Sequence, residues 1–164
     1  MALTLETGEG LPDADSLVTL EEVRAFATSR GETVSDDDDV LEAEIRKAHD
    51  YLATKEQQLK GYRRTEGQAL PYPRNDVVIY GYLLDTGEIP IQAKNAIAQI
   101  VIEGETTELL ATSDGKVVIE ETVGPISTKY AASGASSTTP VLPRVDNFLQ
   151  PLLRNTGPLS SLRV

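Results

Sequence analysis

Very few side chains in this sequence could carry chemistry. His49 is the single histidine, set between Ala48 and Asp50 and four residues after Ile45, and there is no cysteine. Without a second histidine or any thiol, a zinc set of the usual kind cannot be assembled. Thiol nucleophiles and disulfides are excluded as well. Four consecutive carboxylates, Asp36 to Asp39, have the charge to attract a cation. A calcium loop, however, spaces its ligands at alternate positions, with a glycine sixth and a glutamate twelfth. Consecutive acids opening a helix instead offset the positive end of its dipole, with Ser35 as the cap. Gly8-Glu9-Gly10 lacks the third glycine of a dinucleotide fingerprint, and no phosphate loop, nucleophile elbow or HExxH helix occurs. Carboxylates are so numerous that no one pair singles itself out. The expectation is a protein that is not an enzyme, with no catalytic, cofactor-binding or metal-binding residues.

The elements that would position these groups are mostly helical. Thr19 and Glu22 form a capping box, and Leu20, Val23, Phe26 and Ala27 make one apolar face, which predicts a helix over about 20–30 ending at Gly31. Leu41, Ile45, Ala48 and Leu52 predict a second helix, starting after Ser35 and reaching about Leu59. Pro71 and Pro73 exclude a helix interior between them. Val77 to Tyr80 reads as a short strand and Asp85-Thr86-Gly87 as a turn. A third helix opens at Pro90 with Ala93, Ile97, Ile100, Val101 and Gly104 on one face, and ends near Leu110. A hairpin turns at Gly124-Pro125, and Val145, Phe148, Leu149 and Leu152 mark a short last helix that Pro151 should kink.

The expected fold class is therefore mainly α (α+β): a small bundle of three to four helices with a protruding β-hairpin and extended termini. Residues 1–18 read as an extended arm, 19–112 as the helical core and 113–131 as the hairpin. Residues 132–164 read as a linker, a short C-terminal helix and a tail.

Composition narrows the functional classes. The chain has 164 residues, enough for one domain with extensions, and its eight aromatics (Phe 2, Tyr 6, no Trp) leave the core to Leu, Ile, Val and Ala. Residues 1–10 lack a basic region followed by an apolar one, so no signal peptide is expected, and no apolar run approaches a membrane span. The net charge of −11 weighs against a general nucleic-acid binder. Between Arg46 and Arg74, however, seven basic residues face three acids, a local +4 that leaves −15 for the rest. Lys60, Arg63, Arg64 and Arg74 are the candidates for an electrostatic interface, either with acidic surface on a neighbouring subunit or with DNA.

Two apolar features suggest burial between molecules. The hairpin carries apolar residues on both faces, so Val117, Ile119, Ile126 and Tyr130 are candidates for contact between subunits. Packing of the hairpin on its own helices is the alternative. Phe148, Leu149, Leu152, Leu153, Arg154, Leu159 and Leu162 are candidates for a contact made by the C-terminal segment.

Several segments, in order, carry a family resemblance. They are Gly10-Leu-Pro-Asp-Ala-Asp-Ser16 before a capped helix, Ile45-Arg-Lys-Ala-His-Asp-Tyr-Leu52, Gln68-Ala-Leu-Pro-Tyr-Pro-Arg74, Ile89-Pro-Ile-Gln-Ala-Lys94, Val123-Gly-Pro-Ile126 and Val145-Asp-Asn-Phe-Leu-Gln-Pro-Leu-Leu153. Through nearly its whole length the chain resembles head–tail connector (adaptor) proteins of tailed phages, some of which are labelled DnaT-like single-stranded-DNA-binding proteins. The resemblance implies a structural virion protein of the neck, made in the host cytoplasm and forming a ring, commonly twelvefold. It implies portal binding, through the C-terminal segment in many connectors, with a stopper or tail-terminator/tail-tube protein below. Genomic double-stranded DNA would pass through the lumen during packaging, without sequence recognition or membrane contact. Non-specific single-stranded-DNA binding is the alternative, against which the acidic balance and scarce aromatics weigh. Tyr72 departs from the pattern, standing where similar sequences often carry Trp, and so does the Asp36–Asp39 run.

Overall fold

A computed structural model describes residues 2–109, 120–123, 126–129 and 140–154. It is helix-rich α+β, as the periodicity predicts, with helices α1 (Leu20–Thr28), α2 (Asp38–Thr54), α3 (Ile91–Gly104) and α4 (Pro143–Leu149). The α1 capping box forms: Thr19 Oγ1 accepts from the Glu22 N–H at 3.2 Å, and Glu22 Oε2 accepts from the Thr19 N–H at 2.9 Å. At α2 the cap is Asp37 rather than Ser35, its Oδ1 accepting from the N–H groups of Asp39 and Val40. Asp38 and Asp39 occupy the first turn, where carboxylates are electrostatically favoured.

Two helices stop earlier than their apolar periodicity suggests. α2 ends at Thr54 and passes through a 3-10 turn, Glu56–Gln58, before Leu59. α3 ends at Gly104 instead of near Leu110, because Leu109 folds back over that position. A β-carbon on Gly104 would meet Leu109 Cδ1 at 3.1 Å, so the small residue lets Leu109 close the end of the core.

α3 is the hub, packed by α1, α2 and α4. Ala93, Ala96, Ile97, Ala98, Ile100, Val101 and Ile102 are all buried, as expected of a helix apolar on nearly every side. α4 and the 3-10 turn Gln150–Leu152 bury Val145, Leu149 and Leu152 completely in the same core. This corrects the expectation that Leu149 and Leu152 find their cover on another molecule. Pro151 lies in the 3-10 turn beyond α4, where its missing N–H ends the helix rather than kinking it.

The N-terminal residues are likewise tied down rather than extended. Leu5 bridges Ser16, and the buried Glu6 carboxylate accepts from the N–H groups of Gly8, Gly10 and Leu11 at 2.8–2.9 Å. Ala14, Leu17 and Val18 join the core.

Three antiparallel pairs complete the described structure: β1 (Tyr62–Arg63) with β2 (Arg74–Asn75), β3 (Val78–Ile79) with β4 (Tyr82–Leu83), and β5 (Glu120–Val123) with β6 (Ile126–Lys129). In the last pair Val123 stands opposite Ile126 and Glu120 opposite Lys129, the hairpin expected there. Val117, Ile119, Tyr130, Leu159 and Leu162 lie outside the described residues. Among the described residues no helix is long and apolar enough to cross a membrane.

Candidate nucleic-acid interface

The segment from Glu56 to Leu83 contains little regular structure, so many of its carbonyls have no ladder or helix partner. Buried carbonyls of this kind must find donors elsewhere, and basic side chains supply them. Arg74 is only 4% exposed. Its Nε donates to Lys60 O at 2.7 Å and its Nη2 to Gly61 O at 2.9 Å. Its Nη1 reaches Pro71 O at 3.3 Å and Glu56 Oε1 at 3.5 Å. Arg63 grips both oxygens of Glu56, through Nε at 2.6 Å and Nη2 at 2.7 Å, and donates Nη1 to Gln68 O. The Arg63 bonds hold the Glu56 carboxyl below its usual range. Burial lowers the Arg74 pKa, and the nearby Arg154 and Arg63 charges add to that direction.

The C-terminal turn closes on this segment. Lys60 N–H donates to Leu152 O, and its Nζ bridges Pro151 O at 2.8 Å and Val78 O at 3.0 Å. Arg154 donates its own N–H to Gln58 O and its Nε to Leu59 O. Arg64 turns the other way, to Gly8 O and Glu9. The predicted cationic set is thus brought together apart from Arg64, and Arg74 is spent inside the chain rather than offered to a neighbour. Gly61, at φ 68°, is required: a methyl group there would collide with the Asn75 carbonyl where β1 meets β2.

Beside this latch stand three tyrosines that the sequence reading did not single out. Tyr80 and Gly81 form a two-residue turn between the paired Ile79 and Tyr82, with φ values of 53° and 88°. Positive φ at both central residues is the type I′ pattern that suits hairpin twist and favours Asn-Gly. Tyr80 therefore occupies a left-handed position that a bulky side chain rarely adopts. Tyr80 is 75% exposed, Tyr82 80% and Tyr62, on β1, 56%. Val78 and Leu83 add exposed apolar surface. The available signal was the Tyr-Gly dipeptide between Val78-Ile79 and Tyr82-Leu83.

The remaining candidates are structural or distant. His49 lies in the core, with both ring nitrogens bonded to backbone. Phe148 packs edge-to-face on Phe26 at 5.8 Å, and Leu153 lies partly buried against the core. Among the described residues no group of three or more histidines or carboxylates could hold a metal ion.

Compared with known proteins, residues 1–164 match a family described as putative DnaT-like ssDNA binding protein. No curated protein and no solved structure matches the chain.

Proposed function

We propose, from the premise that the chain belongs to the DnaT-like single-stranded-DNA-binding family, that it binds single-stranded DNA without sequence preference. Bases would stack on Tyr62, Tyr80 and Tyr82, with Lys60, Arg63 and Arg154 supplying positive potential along the strand. The supporting observation is Tyr80, held at φ 53° on an exposed hairpin tip beside Tyr82. Backbone strain at an exposed aromatic gains nothing for the core, and stacking on every base's π-face gives tolerant binding worth about 1–3 kcal/mol per base. The scarcity of aromatics that weighed against this function in the sequence is offset by their exposure, since three of the six tyrosines, Tyr62, Tyr80 and Tyr82, stand in solvent. Fluorescence anisotropy with a labelled oligo-dT tests the reading. Binding should weaken steeply between low and physiological salt, and no binding at low salt would dispose of it.

A ring-forming head–tail connector remains the second proposal, with the portal, a tail-side neighbour and a virion location as its implied setting. In its favour are the net charge of −11 and the β5–β6 hairpin, which pairs with itself and contacts none of the helices among the described residues. Electron microscopy of the protein with its portal would separate the two proposals: closed rings there, with no oligonucleotide binding, would favour the connector.

A further inference from the structure

We infer that the groove between the end of α2 and the C-terminal turn is a phosphate subsite, built on Arg154 and backed by Arg74. This rests on the single-stranded-DNA reading and adds where the strand's backbone is held. The groove, of about 530 Å³, is lined by Ala53, Glu56, Gln57, Arg74 and Arg154. Two guanidiniums converge there on one acceptor: Gly61 O takes Arg74 Nη2 at 2.9 Å and Arg154 Nη2 at 3.3 Å. Like charges packed this closely repel unless an anion lies near. Among the described residues lining the groove the one anion is Glu56, which already has both oxygens in the bidentate grip of Arg63.

The balance is uneven in a way that suits an incoming anion. Arg63 and Arg74 both bond Glu56 while Arg154 lines the same groove, so among these described residues three positive charges meet one carboxylate, a local +2 in a chain of −11. Arg154 is exposed, spends Nε and Nη2 on Leu59 O and Gly61 O, and among the described residues its Nη1 has no partner. A guanidinium fixed by two carbonyls with a free outward edge is ready to meet two phosphate oxygens, because its orientation is already set. The Gln57 amide lies on the same wall and can donate a further hydrogen bond. The chemistry fits a phosphodiester; a free phosphate or pyrophosphate would satisfy the same donors.

Two measurements on the full chain test this. Titration with inorganic pyrophosphate, followed by arginine side-chain NMR, should move the Arg154 Nε signal, and no movement at millimolar pyrophosphate overturns the subsite. Arg154→Gln should weaken oligo-dT binding about three- to tenfold and lower the salt slope by about 0.7, the share of one phosphate on a single strand. Its melting temperature, read alongside, shows whether the latch survives. If oligo-dT binds but a folded Arg154→Gln keeps the full slope, the subsite is wrong and the stacking function stands. If the Arg154 signal moves with pyrophosphate while oligo-dT does not bind, the subsite is supported and the single-strand function fails.

Discussion

The imidazole Nε2 of His49 accepts a hydrogen bond from the backbone N–H of Leu17 at 2.9 Å, fastening the N-terminal residues to α2. Nδ1 lies 2.8 Å from Ile45 O and donates to it, so this arrangement requires the neutral ring with its proton on Nδ1. Burial lowers the pKa, and Ile45 O, Asp15 and Asp50 oppose that shift without reversing it. In the unfolded chain the ring takes up a proton near its ordinary value of about 6.5. Just below that pH the unfolded state binds more protons, so stability is complete above about pH 6.5 and declines as pH falls towards the folded pKa. The decline approaches about 1.4 kcal/mol per pH unit for one proton. Urea unfolding at pH 7.5, 6.5 and 5.5 should show it, and His49→Gln should flatten the profile in that window. Equal midpoints at pH 7.5 and 5.5 in the parent chain would refute the assignment.

Tyr72 is completely buried, and among the described residues its hydroxyl has no hydrogen-bond partner. Burial pushes the phenol well above its ordinary pKa, so it stays neutral. A buried donor left unmade costs about 1–3 kcal/mol, whereas the ring itself fills the core. Tyr72→Phe should therefore be neutral or stabilising, read as an unchanged or higher melting temperature. A loss of more than about 1 kcal/mol would mean that the hydroxyl has a partner.

Glu56 ties Arg63 and Arg74 to the start of the loop. Glu56→Gln removes the charge while nearly keeping the shape, leaving the buried Arg74 guanidinium without its counter-ion. Charge-assisted hydrogen bonds of this kind contribute about 1.5–3 kcal/mol, and the partial exposure of Arg63 puts the expected loss at the lower end. Because the folded carboxyl titrates below its ordinary value, the parent's advantage is present above about pH 4.3 and disappears as pH falls through the folded pKa. Parent and variant should differ at pH 7 by chemical denaturation and converge in acid. A constant gap down to pH 3 would show that the pairing contributes little.

The sequence revealed the elements more readily than their partners. Thr19 and Glu22 mark the start of α1 because capping is local chemistry among neighbouring residues. The apolar spacing of α3 and of Val145, Leu149 and Leu152 likewise marks faces that must be covered. Periodicity says that a face is buried, not against what, which is why Leu149 and Leu152 read as intermolecular when α3 covers them. The basic band was visible as charge, but Arg74 is consumed by the carbonyls of Lys60, Gly61 and Pro71. That need arises only once an irregular loop is folded against itself. The exposed tyrosines were hidden for a similar reason: the Lys60 Nζ ties Val78 of the β3–β4 hairpin to Pro151 of the C-terminal turn, a contact no spacing rule contains.

Tyr80 offers the sharpest division between stability and function. At φ 53° a β-carbon crowds its own backbone, a cost of roughly 1–2 kcal/mol that asparagine largely escapes in a type I′ turn. With its ring in solvent, Tyr80 recovers little of this through packing. Tyr80→Asn should therefore raise stability by several tenths to about 1 kcal/mol. If the exposed ring exists to stack bases, the same change should weaken oligo-dT binding by about 1–3 kcal/mol, roughly five- to 150-fold. A purely structural turn would show the gain without the loss. A variant that is more stable and binds oligo-dT as tightly as the parent would remove Tyr80 from the interface.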